Sequence, residues 1–379
     1  MEKMGENKKE PEYPLGIQLE LFQSTKRLNL SETYEAIPKD VSATDPAIVW
    51  INKYMAEPIE KPFSIGKQSF ISEIIPATIK DKKIDAYKSV FPDLRESRIE
   101  YAIISLASKQ IVDIGYDKKE KQIHLLKTTY YQIQKEIVDA INKRENRNLK
   151  PNDCPYNTTS IKEALEVLRK TTITVKYEHG EKQYIFSRIK DIYMDNKYVA
   201  IELGTMATDY INSGDWKATD KNSILASKGK YELKLRVLLN LKFRYATQGG
   251  HYNPSLTFLM HHLGFVQSQK TKTNMERMTK IIESLHEVER VEIEKKYDGR
   301  KIIDAIFKIY PTKDFTSIMI ENNKATKRTK EMIIDGDGIP LIEPMQSDFE
   351  SSPEFQKAKR EYDINKGKHL FGKKKNLFN

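Results

Sequence analysis

Apolar positions in the middle of this chain recur at two spacings, and the switch between the two happens twice in the same order. Ile99, Ala102, Ile103 and Leu106 follow the 3.6-residue period of a helix, and so do Tyr130, Ile133, Ile137, Val138 and Ile141. A third helix is predicted from Ile161, Ala164, Leu165 and Leu168. The period then drops to two over 172–177 and 183–192, around a turn at His179-Gly180-Glu181-Lys182. A strand over 121–126 and another over 198–203 complete this first unit. The second unit repeats the order. The helix over 231–245 carries Leu235, Leu238, Leu239 and Leu241 and stops at Gly249-Gly250; a short helix over 255–263 is stopped by Gly264. A third helix has Met275, Met278, Ile282 and Leu285 as its buried stripe. Strands over 291–296 and 302–309 follow, joined through Asp298-Gly299, a strong hairpin signal.

Both third helices are preceded by capping-box spacings, Ser160 with Glu163 and Thr273 with Glu276. The outer units are less regular. Residues 1–30 read as a polar flexible tail, and 31–90, broken by five prolines, as a lead-in with irregular connections. Past Pro311 the pattern fades. A basic run at 324–330, an acidic stretch at 335–350 and a basic end predict a flexible charged tail over 319–379. The expected fold class is α+β, with two helix-turn-helix units bearing a β-wing in tandem at 91–215 and 225–318.

Charge gives this architecture a use. The 379 residues hold 64 Lys and Arg against 54 Asp and Glu, a net charge of +10 that favours a polyanionic partner. A helix fits the DNA major groove, and only its outward face can reach base edges. In the first unit that face carries Thr159, Lys162, Glu163, Glu166 and Arg169; in the second, Thr271, Lys272, Asn274, Arg277 and Lys280. Arg and Lys suit guanine and Asn suits adenine, so Lys272, Asn274 and Arg277 are the better set, with Lys280 on the same face; Thr159 and Lys162 belong to the face that two glutamates make less attractive. The wings add Lys176 and Lys182 in the first unit and Lys295, Lys296, Arg300 and Lys301 in the second, placed to hold phosphates. Any surface helix also carries lysines; the repetition of the order and the four cations on one hairpin tip argue for DNA.

Other chemistries find little. Cys154 is the single cysteine, which excludes a disulfide framework and cysteine-pair zinc sites. No P-loop pattern occurs. His261 and His262 are adjacent, so on a helix they diverge by about 100° and read as surface histidines, not a metal pair. No apolar run is long enough for a membrane span, and the start is charged. The expectation is a cytoplasmic binding protein, not an enzyme, with no cofactor and no metal.

With these residues in view, the chain resembles the theta-type plasmid replication initiators (Rep proteins), which bind iterons through two winged-helix domains. The likeness lies in Ser160-Ile161-Lys162-Glu163-Ala164-Leu165-Glu166-Val167-Leu168 before the first wing and in Phe186-Ser187-Arg188-Ile189 on its return strand. LRVLLNLKFRY from Leu235 opens the second unit, and KIIDAIFKIYPTKDF from Lys301 leaves it. ETYEAIP from Glu32 is similar to the lead-in of some members. The resemblance covers about 90–320. It implies binding to origin repeats in double-stranded DNA, opening of adjacent AT-rich DNA, recruitment of host initiator and helicase, and homodimers that repress their own gene beside monomers that initiate. Near the start, Gln18, Leu19, Leu21 and Phe22 resemble the motif that docks on the bacterial sliding clamp, where glutamine makes polar contacts and Leu-Phe fills an apolar pocket. The first helix departs from the family in carrying two outward glutamates, which puts base contact by it in doubt. A winged-helix transcriptional regulator is the alternative that shares the same fold and DNA chemistry.

Overall fold

The computed structural model describes residues 27–41, 48–50, 56–65, 68–81, 85–107, 113–116, 122–177, 183–208, 217–243, 250–264 and 270–333. The chain begins with β1 (Arg27–Leu30), the short helix α1 (Glu32–Ala36) and β2 (Ile48–Trp50). The strands β3 (Ile59–Ile65), β4 (Gln68–Ile75), β5 (Ala77–Asp81) and β6 (Ala86–Val90) follow. Next come α2 (Leu94–Ala107), β7 (Asp113–Tyr116), β8 (Gln122–Thr129), α3 (Tyr130–Glu145) and α4 (Thr158–Lys170). Four strands then run on, β9 (Thr172–Tyr177), β10 (Gln183–Phe186), β11 (Ile189–Met194) and β12 (Tyr198–Leu203).

The expected helices of the first unit are therefore present, and their apolar spacing explains why. Ile99, Ile103, Ile133, Ile137, Ile161, Leu165 and Leu168 fall in one core, each at 0–1% exposure. The lead-in departs from expectation. Residues 31–90 do not form a separate irregular segment, since Tyr34 and Ile37 lie in that same core; so do Leu28 and Leu30, which makes 27–30, expected as the end of a flexible tail, a buried strand. β4 pairs with β9 along its length, so the strand pair expected as the first wing is half of a four-stranded sheet ordered β10-β9-β4-β3. Pro62 is tolerated because β3 is an edge strand of that sheet. A second four-stranded sheet runs β11-β12-β8-β7, and a third of three strands, β2-β6-β5, lays β5 against α4.

A charged cluster ties these layers together. Arg188, buried between β10 and β11, donates to Asp40 at 2.8 Å and through Nε to Glu100 at 2.9 Å. Tyr34 and Ser97 join the same cluster through Glu100 and Asp40. Burial pushes the Asp40 carboxyl up, but Arg188, then Lys234, outweigh it and hold the group below its ordinary range. The chain passes so close at this point that a Cβ on Gly204 would sit 2.1 Å from the Ser187 carbonyl oxygen. Only glycine lets β12 end there, with its N–H donating to the Arg188 carbonyl at 3.2 Å.

The second unit is entered through β13 (Lys217–Asp220) and α5 (Lys221–Leu225), and β13 pairs with β1. The helix α6 (Lys230–Lys242) follows; it ends at Phe243, ahead of the glycine pair expected to stop it. Its apolar residues are spread around the helix axis between charged ones, and two faces are used. Leu233, Val237 and Leu241 belong to the first core, while Leu235, Leu238 and Leu239 belong to the second. α7 (Leu256–Leu263) is capped by Ser255, whose Oγ accepts from the Phe258 N–H at 3.1 Å, and closed by Gly264 at φ +62°. α8 (Thr271–Glu283) packs on β14 (Val288–Asp298) and β15 (Lys301–Pro311). The last described element is unexpected: α9 (Lys313–Ile333) is a helix where a flexible tail was predicted from 319 onward. Phe315 and Met319 anchor it in the second core, and Asn322 and Thr326 reach back to the paired strands β1 and β13. There Asn322 accepts from Arg27 at 3.1 Å and Thr326 from the Ala218 N–H at 3.0 Å.

Candidate nucleic-acid interface

The capping expected at the two third helices is made differently. On α4 the cap is Asn157, whose Oδ1 accepts from the Ser160 N–H at 2.8 Å. Ser160 thus lies inside the helix, and Glu163 serves another purpose. It takes Lys88 at 2.6 Å and Arg95 at 3.0 Å, both from the layers packed over this helix. Burial raises the Glu163 carboxyl, but the Lys88 hydrogen bond and Arg95 outweigh it and hold it below its ordinary range. Glu166 takes Arg169 at 3.1 Å and Lys170 at 3.0 Å. Lys162 is half-buried with its ammonium 5.0 Å from the Tyr130 ring centre, and Thr159 is exposed. Val167, fully buried, joins Ala77 and Val90 in a small cluster that covers the flank of α4. The side of the first helix that a duplex would need is therefore partly roofed by β5 and β6, and its charges are spent on neighbours. Lys176, expected as a free wing cation, lies 3.0 Å from Glu73 and 3.6 Å from Glu60 on the strands beside it. Lys182 lies outside the described residues, as do Gln18, Leu19, Leu21 and Phe22.

The second helix presents another surface. α8 starts at Thr271 after Lys270, with no side-chain cap, so the Thr273 capping box is not formed. Met275, Met278 and Ile282 face the core as expected. Lys272, Arg277 and Lys280 are exposed on the other side; Lys272 stands 4.0 Å from Glu276 in a loose i,i+4 pair. Asn274 requires a correction. It is only 5% exposed, one turn before Met278 on the inward stripe, and does not belong to the outward set.

The hairpin β14–β15 pairs from Val288↔Pro311 to Asp298↔Lys301 and closes through Gly299, at φ +58°, and Arg300. Strands of 11 residues reach roughly 35 Å at the usual rise. The inner half packs on α7 and α8, with Ala305, Phe307 and Ile309 buried on β15. The outer end does not pack: every residue from 294 to 301 is exposed. Lys295, Lys296, Arg300 and Lys301 all lie there, against Glu294 and Asp298. Lys308, 3.4 Å from Glu294, takes up part of that acidic charge. Tyr297 and Ile303 are also exposed on this projection, at 58% and 52%.

The adjacent histidines differ from each other. His261 is exposed, but His262 turns inward and stacks on Phe258, ring centres 5.6 Å apart. Burial, then Lys234, Lys242 and Lys39, push its imidazole down to about 3, so it is neutral at ordinary pH. Among the described residues, no cluster of three or more His, Cys, Asp or Glu is arranged to hold a metal, and no helix is long and apolar enough to cross a membrane.

No protein-family profile matches the chain, and no curated protein matches it significantly. Solved structures do. The crystal structure of domains 2 and 3 of RctB is 9% identical over 73% of this chain and 97% of that one, with a TM-score of 0.44. A second crystal structure of the same RctB domains is 9% identical over 72% and 97%, with a TM-score of 0.40. The Pi initiator protein in complex with iteron DNA is 13% identical over 59% and 96%, with a TM-score of 0.38. These values are too low to carry residue roles or ligands from those proteins to this chain.

Proposed function

We propose that this chain is a sequence-specific binder of double-stranded DNA, a plasmid replication initiator built on two winged-helix units. The second unit is its reader: α8 enters the major groove with Lys272, Arg277 and Lys280, and the hairpin grips phosphates with Lys295, Lys296, Arg300 and Lys301. The observation that carries this reading is the hairpin end, where four cations stand on a projection with no packing role beside a helix that exposes three more. Packing never needs such a concentration of desolvation-averse charge, whereas a polyanion does. The first unit acts as a body and as a backbone-phosphate or dimer contact, because its third helix keeps its charges in internal pairs. Binding to repeated origin sites (iterons) would be followed by opening of AT-rich DNA and recruitment of host helicase and initiator, with Gln18, Leu19, Leu21 and Phe22 docking on the sliding clamp. The protein works in the cytoplasm as a monomer or homodimer and carries out no chemistry of its own. The iteron DNA named for the Pi initiator protein agrees with this reading, which does not rest on it.

The test is footprinting on DNA that neighbours the coding sequence. Protection of direct repeats about two helical turns apart, with distortion of an adjacent AT-rich segment, is expected. One protected operator without distortion would make the protein a winged-helix regulator instead. No affinity for any duplex at modest ionic strength would end the DNA reading.

A further inference from the structure

Between the two units lies a cleft of about 430 Å³, within the range of small-molecule sites. The first unit contributes α1, the turn after it and the β3–β4 strands; the second contributes α6 and α7. Its walls pair aromatic rings from both sides. Phe63 stacks on Phe70 from the first unit, at 5.3 Å and 23°, and Phe258 stacks on His262 from the second, at 5.6 Å and 15°. Phe258 remains 39% exposed although it faces a recess. An aromatic ring left wet beside three other rings is a surface that a flat apolar group would cover favourably.

The charges in the same cleft are unevenly matched. Lys39 has Glu35 at 3.2 Å, and Lys242 has Glu32, which is shared with Lys217 at 2.7 Å. Asp40 is taken by Arg188 and Ser97, both at 2.8 Å. Lys234 is left with the second oxygen of that carboxylate at 3.9 Å, beyond hydrogen-bond reach. Burial, and the neighbouring Lys61, Lys230 and Lys39, pull its ammonium below the usual lysine range despite Asp40. Its side chain keeps 19% exposure toward the cleft, so the ammonium is open there to an anionic group that would supply the charge-assisted contact Asp40 does not complete.

We propose that this cleft binds a small aromatic phosphate monoester, its anionic group held by Lys234 and the two histidines and its ring set against Phe63 and Phe258. Such a ligand would touch both units at once. None of the residues lining the cleft belongs to the proposed duplex-binding set, so the site does not depend on that set being read correctly.

The full-length protein can be titrated calorimetrically with phenyl phosphate and AMP, with inorganic phosphate and adenosine as the half-ligands. Both esters should bind, and each half-ligand at least tenfold more weakly. Lys234→Met should weaken ester binding by at least tenfold, the loss of one charge-assisted contact, while Lys234→Arg retains it. Should Lys234→Met unfold, Phe258→Ala, at an exposed position, serves in its place and should weaken the esters but not inorganic phosphate. Saturating duplex DNA should leave ester binding intact, and Lys296→Ala should not change it. No heat or competition with either ester at millimolar concentration, equal binding of adenosine, or displacement of the esters by duplex would each overturn the proposal.

Discussion

α4 and α8 occupy the same place in their units, third helix before a hairpin, yet they dispose of their charges in opposite ways. On α4 Glu163 and Glu166 are bound by four cations, and a sheet from the lead-in covers one flank. On α8 the cations stand outward and the hairpin beside it carries four more past the body of the protein. The first unit resembles a protein interior in its electrostatics, with Arg188, Asp40 and Glu100 at the centre; the second resembles a ligand-facing surface. On the proposed function, one element order serves as scaffold in one unit and as reader in the other, and what distinguishes the two is where the counter-charges come from.

The largest expected effect attacks the inward side. Arg188→Met leaves Asp40 and Glu100 buried without their partner, and should cost about 3–5 kcal/mol in urea unfolding. A loss below about 1 kcal/mol would mean that the cluster is wet and the contrast overstated. On the outward side, Arg277→Ala should cost about 1–3 kcal/mol on the specific DNA site and relax base preference there. Arg169→Ala on α4 should leave preference unchanged; the reverse pattern would exchange the roles of the two helices. Lys296→Ala should weaken binding to all duplexes alike and reduce the slope of log K against log salt by about one. The smallest effect is one of pH. Asp40 titrates lower folded than unfolded, so its contribution is present above the unfolded carboxyl value, about 4, and is lost as pH falls through the folded one. Asp40→Asn should therefore flatten stability against pH below about 4, seen as a shallower acid limb in unfolding midpoints.

The helix periods were legible because each buried stripe is local. Ile161, Ala164, Leu165 and Leu168 announce α4 without reference to anything else. The pairing of β4 with β9 joins residues about a hundred positions apart, and no local pattern records it; in the lead-in, prolines such as Pro62 in β3 interrupt the strand pattern. α9 was obscured by its charge, although Phe315, Met319 and Asn322 keep the i, i+4, i+7 spacing of a packed face. The caps were misread because several residues at each helix start are able to serve. A reciprocal box forms instead at the start of α3, Thr129 with Gln132, at 3.1 and 2.9 Å. Asn274 was assigned outward for its chemistry when its position, four before Met278, already put it inside. Lys234 gave no signal and His262 reads as a surface histidine, since the cleft they line exists only once α1 and the β3–β4 strands fold back against α6 and α7.

The double use of α6 has a consequence for how this molecule can be taken apart. A cut near residue 225 would deprive the N-terminal half of Leu233, Val237 and Leu241 and strip its partner's opening helix of cover. Neither fragment would be a finished product, so the halves should melt together and cannot be traded separately, as beads on a string can, into other polypeptides.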